Sequence, residues 1–256
     1  MRLSTDAGPV WPAGYDKRHL DETDSTNAAA LRLIPDIAGP TWVTATRQTA
    51  ARGRRGRAWH QPEGNLAASL ALRLTAPPTV AALRSFSAAL AVAETLEAHG
   101  AAPDDVTLKW PNDVLLQGRK AAGILLESRA MEGGMLALAV GIGINLAIAP
   151  PQDRLDATAL PAISLAEAAG AAPTPGTALD VLAEKYAHWE DLLGTYGFAP
   201  LRAAWLARAA RLGQKVTARL PGESVTGIFE TIDADGSLIL RGSAGSRPIA
   251  AAEVFF

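Results

Sequence analysis

A chain of 256 residues that is 48% hydrophobic has room for one large α/β domain, or for roughly 200 residues of domain plus a small module, and is neither a fibre nor a disordered tail. Its net charge of −2 supplies no whole-molecule positive field for holding nucleic acid. Cysteine is absent, which excludes disulfides, thiolate zinc sites and cysteine nucleophiles and agrees with an expected place in the reducing cytoplasm.

Arg2, Asp6 and Pro9 leave no apolar run for a signal peptide. Residues 18–21 read as a short strand, after which Asp24, Ser25, Thr26 and Asn27 supply the side chains that cap a helix over residues 28–33. Residues 42–46 and 66–74 read as strands on either side of a long loop. Residues 80–99 read as one helix with Leu83, Phe86, Leu90, Ala93 and Leu96 on one face. Strands recur at 106–109, 114–116, 123–127 and 136–144. Residues 133–152 carry no charge, yet Val140, Ile142 and Ile144 alternate with Gly141 and Gly143 and Pro150 follows. That is a buried strand entering a loop, too short in its apolar part to cross a membrane. A Pro- and Ala-rich passage at 149–176 leads to helices at about 179–196 and 200–210.

Past Gly213 the pattern changes to short strands at 215–220, 225–232, 237–241 and 248–254, separated by turn residues. The expected division is a domain of residues 1–212 followed by a small all-β module of residues 213–256. Strands and a long helix followed by a β module give an α+β architecture.

Three segments carry chemistry. Five of the nineteen arginines, Arg47, Arg52, Arg54, Arg55 and Arg57, fall within eleven residues and are interleaved with Gly53 and Gly56. Such charges repel each other, so the free loop is expected to be mobile, and guanidinium forks suit phosphate and carboxylate. An isolated basic run is usually a solvated loop. Here the flanking Gln48 and Trp59 and the acidic balance of the chain favour an anion site, and the scarcity of interleaved aromatics weakens a nucleic-acid reading. The second segment runs from Lys109 through Trp110, Pro111, Asn112 and Asp113 to Lys120. Turn chemistry explains Asn112 and Asp113 but not two lysines in a chain with only five. A carboxylate such as Asp113 beside a phosphate site suits Mg²⁺. The third segment, Gly141 to Asn145, lacks the last glycine of a dinucleotide fingerprint, and the chain has no P-loop. Any ATP site is of another kind. His19, His60, His99 and His188 are scattered and are given no role.

In this order these residues resemble the biotin–protein ligase family. The markers are Asp24 to Asn27, Gln48 with the Arg/Gly loop through Trp59, Gly64 and Asn65, Lys109 to Asp113, Lys120 with Ala122 to Leu125, and Gly141 to Asn145. The family's loop usually opens with glycine where this chain has Ala51, where a glycine would serve positive φ or simple mobility. Too few residues precede Leu20 for the helix-turn-helix that some members carry, so no DNA partner is expected. The resemblance implies a class II synthetase-like (biotinyl/lipoyl ligase) mixed sheet with helices, followed by an SH3-like β-barrel.

It also implies an adenylate-forming ligase that makes biotinyl-AMP from biotin and ATP with Mg²⁺ and passes biotin to a lysine of a biotin carboxyl carrier domain. Lys120 and Arg54 would be catalytic. Ser25, Thr26, Asn27, Gln48, Arg52, Gly53, Arg54 and Lys120 would surround biotin. Arg52, Arg57, Trp59, Asn112, Asp113 and Asn145 would surround ATP, with Asp113 as the metal ligand. A lipoate–protein ligase and a non-enzymatic RNA-binding protein are the alternatives. The sequence leaves the oligomeric state open, a homodimer included.

Overall fold

The computed structural model describes residues 8–155, 160–243, 245–250 and 252–255. A seven-stranded mixed sheet forms the larger part, built from β1 (Asp16–Thr23), β2 (Thr41–Gln48), β3 (Leu66–Leu74), β4 (Val106–Lys109), β5 (Asp113–Leu116), β6 (Arg119–Ala130) and β7 (Leu136–Ile144). Its spatial order is β1-β2-β3-β7-β6-β5-β4. Only the first pair is parallel, across the crossover helix α1 (Thr26–Leu33); the other pairs are antiparallel.

Side-chain alternation assigns the two faces of the sheet. Along β7, Leu136, Leu138, Val140, Ile142 and Ile144 enter the main core. There they meet α2 (Pro78–Ala82), α3 (Arg84–Ala98), α5 (Pro175–Tyr196) and α6 (Phe198–Ala207). The intervening residues face α1. Ala137 and Ala139 pack there with Ala29, Ala30, Ile34 and Val43, and Gly141 and Gly143 continue the same row. The row thus grades from methyl groups under α1 to no side chain at all, which opens a floor on that face.

The expected single helix at 80–99 tightens at Leu83 into α2 and α3. Leu83 remains right-handed (φ −60, ψ −20), so the chain winds through the junction without turning away. Leu83, Phe86, Leu90, Ala93 and Leu96 are buried as the periodicity predicts. By length and composition alone Pro78–Ala98 could cross a membrane, but 67% of its apolar window is buried within the fold. The helix α4 (Leu165–Ala169), capped by Ser164, arises inside the Pro- and Ala-rich passage, to which the sequence assigned no element. Strand β6 starts four residues before the expected position. Gln117 (φ 51) and Gly118 (φ 72) form a tight left-handed turn after β5, which brings Lys120 onto the strand.

A second, antiparallel sheet contains β8 (Lys215–Leu220), β9 (Glu223–Ile232), β10 (Leu238–Gly242), β11 (Gly245–Ile249) and β12 (Glu253–Phe255), in the order β11-β10-β9-β8-β12. The expected strand 248–254 is two strands at opposite edges of this sheet. Pro248, which has no N–H to donate, sits in the edge strand β11. Trp205 bridges the two parts of the molecule, with ring centroids 5.6 Å from Phe86 and 6.5 Å from Phe229. Trp110 Nε1 donates to Gly236 O (3.0 Å). These contacts hold β12 beside the floor of the large sheet.

Candidate active site

The floor consists of two rows across three strands, Ala67–Gly143–Gly123 and Ser69–Gly141–Leu125. A Cβ on Gly143 would lie 2.6 Å from the Trp59 ring, and one on Gly141 would lie 2.3 Å from Asn27 Oδ1. Both glycines are therefore required by what lies above them. A cavity of about 300 Å³ opens over this floor, within the range of small-molecule sites. Of the expected site residues, Ser25, Thr26, Asn27, Gln48, Arg52, Gly53, Arg54, Arg57, Trp59, Asn112, Asp113, Lys120 and Asn145 all line it.

One end is a hydrogen-bonding cluster at the start of α1. Ser25 caps the helix by accepting from Ala28 N (3.1 Å), which leaves its own proton to donate. Thr26 N donates to Gln48 Oε1 (2.8 Å), and Gln48 Nε2 donates one hydrogen to Gln61 Oε1 (2.7 Å). Asn27 differs from expectation. Its amide hydrogens already go to Leu125 O (3.1 Å) and Glu127 Oε2 (2.8 Å), so the side chain braces the cluster and has no donor left for a ligand.

The centre is cationic. Asp113 Oδ1 lies 2.6 Å from Lys120 Nζ and Oδ2 lies 3.7 Å from Lys109 Nζ. Burial alone would raise the Asp113 carboxyl, but Lys120, Lys109 and Arg54 together hold it below its usual range. Among the described residues no three His, Asp or Glu side chains gather to hold a metal. With both oxygens facing ammonium groups, Asp113 does not fit a resident metal ligand. Its place in the fold is to hold two lysines. Lys120 is fixed through its backbone as well, since its N–H donates to Pro161 O (2.8 Å) and its carbonyl accepts from Ile163 N (3.0 Å).

The far end suits a purine. Trp59 stands on Gly143 and Gly123, with Lys120 Nζ 5.6 Å from its ring centroid. Asn145 is 2% exposed; its amide nitrogen is within reach of Lys120 O and Ile163 O, while its Oδ1 has no partner among the described residues. A buried, unpartnered acceptor on a residue that lines the cavity is suited to an exocyclic amine. Asn65 holds the following turn by accepting from Ala147 N and Ile148 N.

The arginine loop is a folded flap. Arg52 bridges to Ala58, Gly53 N donates to Arg57 O (2.7 Å), and Trp59 N donates to Ala51 O (3.0 Å). Carboxylates distant in sequence offset the expected repulsion. Arg52 donates to Glu127 Oε1 (3.0 Å), while Arg55 and Arg57 reach Glu253 at 3.2 and 2.6 Å. Arg54 donates to Asn112 Oδ1 and Ala252 O. Its burial, followed by Arg55, disfavours its charge more than Asp113 and Glu253 restore it, and an anion in the cavity would relieve that. The left-handed residues of the loop are Arg55 (φ 58) and Gly56 (φ 73), not Ala51. A glycine at position 51 is therefore not needed for backbone conformation here.

Sequence reasoning missed Ser69, Glu127 and Glu253, and gave Lys109 no role at the site. Lys109 had a signal in the scarcity of lysine. Glu253, 196 residues from Arg57, had none.

A model of the biotin/lipoate A/B protein ligase family matches residues 20–145, and one of the biotin protein ligase C-terminal domain matches residues 212–256. The chain is 52% identical to the biotin–[acetyl-CoA-carboxylase] ligase of Paracoccus denitrificans over 93% of this chain and 99% of that protein. It belongs to the biotin–protein ligase family. Another relative of this ligase is the bifunctional ligase/repressor BirA of Bacillus subtilis, 35% identical over 91% of this chain and 72% of that protein. Among solved structures it resembles the Aquifex aeolicus biotin protein ligase in complex with biotin and ATP. That match has a TM-score of 0.76 and 26% identity, over 94% of this chain and 97% of the other.

Proposed function

We propose that this ligase activates biotin with ATP and transfers it to a lysine of a biotin carboxyl carrier domain. In the first step a carboxylate oxygen of biotin attacks the α-phosphorus, forming biotinyl-AMP and releasing pyrophosphate. In the second, a neutral lysine amine attacks the acyl carbon, AMP leaves and one proton is lost. The observation that carries this reading is that Lys120 lines one cavity together with two groups of different chemistry. The Ser25–Gln48 cluster offers donors and acceptors of the kind a ureido ring needs, and Trp59 with Asn145 offers a stacking face and an acceptor. The names of its relatives support the same pair of substrates.

Joining a carboxylate to a phosphate ester brings two anions together, so the site must supply positive charge that acts in the transition state. Lys120, with Arg54 beside it, does so where the two ends meet. Gly53, Arg52 and Arg57 close the flap over the intermediate and keep water from it. Asn112 and Asp113 hold Arg54 and the lysines in place. Magnesium enters as the counter-ion of ATP and so as part of that substrate. In this reading residues 1–212 form the catalytic domain, and residues 213–256 support the flap through Glu253.

The test is incubation with ATP, Mg²⁺ and a carrier domain, offering labelled biotin or labelled lipoate, with and without RNA. Biotin is expected on the carrier lysine, far above lipoate and indifferent to RNA. Preferential lipoate transfer would reassign the substrate. Absence of either label, with RNA bound at physiological salt, would remove the ligase reading.

A further inference from the structure

A chain of hydrogen bonds runs from the flap to the polar end of the cavity. Arg52 Nε and Nη2 donate to Glu127 Oε1 at 3.2 and 3.0 Å, and Glu127 Oε2 accepts from Asn27 Nδ2 at 2.8 Å. Ser69 Oγ lies 2.7 Å from Asn27 Oδ1 and 2.8 Å from Thr26 Oγ1, and Thr26 Oγ1 lies 3.3 Å from Gln48 Oε1. Ser69 and Asn27 are buried, so the order of donors and acceptors is set within the protein.

The direction of the chain follows from its charged end. A carboxylate accepts only, so Asn27 must turn its NH₂ towards Glu127 and Leu125 O, and its Oδ1 towards Ser69. Gly141 leaves the amide no spare room, since a Cβ there would lie 2.3 Å from Oδ1. Ser69 spends its one proton on Asn27. The Thr26 proton then goes to Ser69 Oγ or Gln48 Oε1, both internal, and Thr26 Oγ1 shows a ligand its lone pairs. Ser25 and the second Gln48 Nε2 hydrogen remain as donors. A site that accepts one N–H and donates to one C=O matches a cyclic urea.

We propose that Glu127 is a positioning residue that fixes the polarity of this end of the cavity and couples it to Arg52 of the flap. It touches no reacting atom. Without its charge Asn27 can reverse, Ser69 can donate to Thr26, and the Thr26 proton can face the ligand N–H. The inference rests on the biotin reading of the site. The same carboxylate holds Arg52, so seating the urea and closing the flap reinforce each other.

The test measures biotin binding by calorimetry without ATP, and turnover with it, for the wild type, Glu127→Gln, Arg52→Ala and the double variant. Glu127→Gln is expected to weaken biotin binding about tenfold, the scale of one charge-assisted hydrogen bond. Its kcat at saturating biotin should fall less than its affinity. The double variant should lose less than the product of the single losses. Wild-type affinity in Glu127→Gln, or fully multiplicative losses, would overturn the coupling. If Glu127→Gln does not fold, Arg52→Ala alone decides: unchanged biotin affinity would overturn the proposal. A wild type that binds no biotin would instead overturn the functional reading beneath it.

Discussion

Replacing Lys120 with alanine should slow adenylate formation roughly a thousandfold or more, the usual scale for removing a group that stabilises transition-state charge. Single-turnover pyrophosphate release measures it directly. Lys120 has both a strand-fixed backbone and a carboxylate at 2.6 Å, so its ammonium is held in place before substrates arrive. The fold should survive. Asp113 keeps Lys109 as a partner, and a stability loss of about 1 kcal/mol is expected for a partly exposed member of such a cluster. Lys120→Arg should restore little. The Lys120 side chain already passes close to the Trp59 ring and the Gly123 floor, and a planar fork delivers its charge differently from a compact ammonium. Alanine-variant turnover near that of the wild type would remove Lys120 from the chemistry.

Asp113→Ala should both destabilise and inactivate. It leaves Lys109, Lys120 and Arg54 around one cavity with their shared carboxylate gone, and breaking a buried pair costs about 3 kcal/mol or more. Burial followed by Lys120 already lowers the pKa of Lys109, against the pull of Asp113, so without the carboxylate its charge is harder still to keep. Urea denaturation reads the loss, and pyrophosphate release reads the activity. The pH dependence has a fixed sign. The Asp113 carboxyl titrates lower in the folded chain than in the unfolded one, so its stabilising contribution is complete above the ordinary aspartate pKa of about 3.9 and is lost as pH falls through the lower folded value. The alanine variant should therefore lose less stability than the wild type over that acid range. Equal acid profiles would show that the carboxylate is not held as the geometry indicates.

Much of this site is legible in the sequence because short-range chemistry dictates it. The alternation along β7 is enough to mark Gly141 and Gly143 as a gap in one face of the strand, and the polar run at Asp24 to Asn27 announces a capped helix. Lys109 to Asp113 stands out as a polar turn between two expected strands, whereas Lys120 joins its strand only through the left-handed turn at Gln117 and Gly118. What stays hidden depends on long-range pairing. The arginine run reads as a mobile, self-repelling loop because nothing local shows Glu127 or Glu253, which arrive from β6 and from a separate sheet. Asp113 looks like a metal ligand until the fold turns both of its oxygens to lysines. Asn27 reads as part of the biotin surround, and only the fold shows both of its amide hydrogens committed to Leu125 and Glu127. Strand edges suffer in the same way, since the 248–254 stretch divides only because β11 and β12 pair with different neighbours.

The most direct test of a single cavity that makes and then hands on an acyl-adenylate needs one preparation. The protein is incubated with labelled biotin, ATP and Mg²⁺, and small molecules are removed by rapid gel filtration. The protein fraction is then mixed with a carrier domain in the absence of ATP. The account predicts biotinyl-AMP travelling with the protein and, on mixing, label on the carrier lysine with release of an equal amount of AMP. A protein fraction without adenylate, or label that reaches the carrier only when ATP is supplied again, would contradict it.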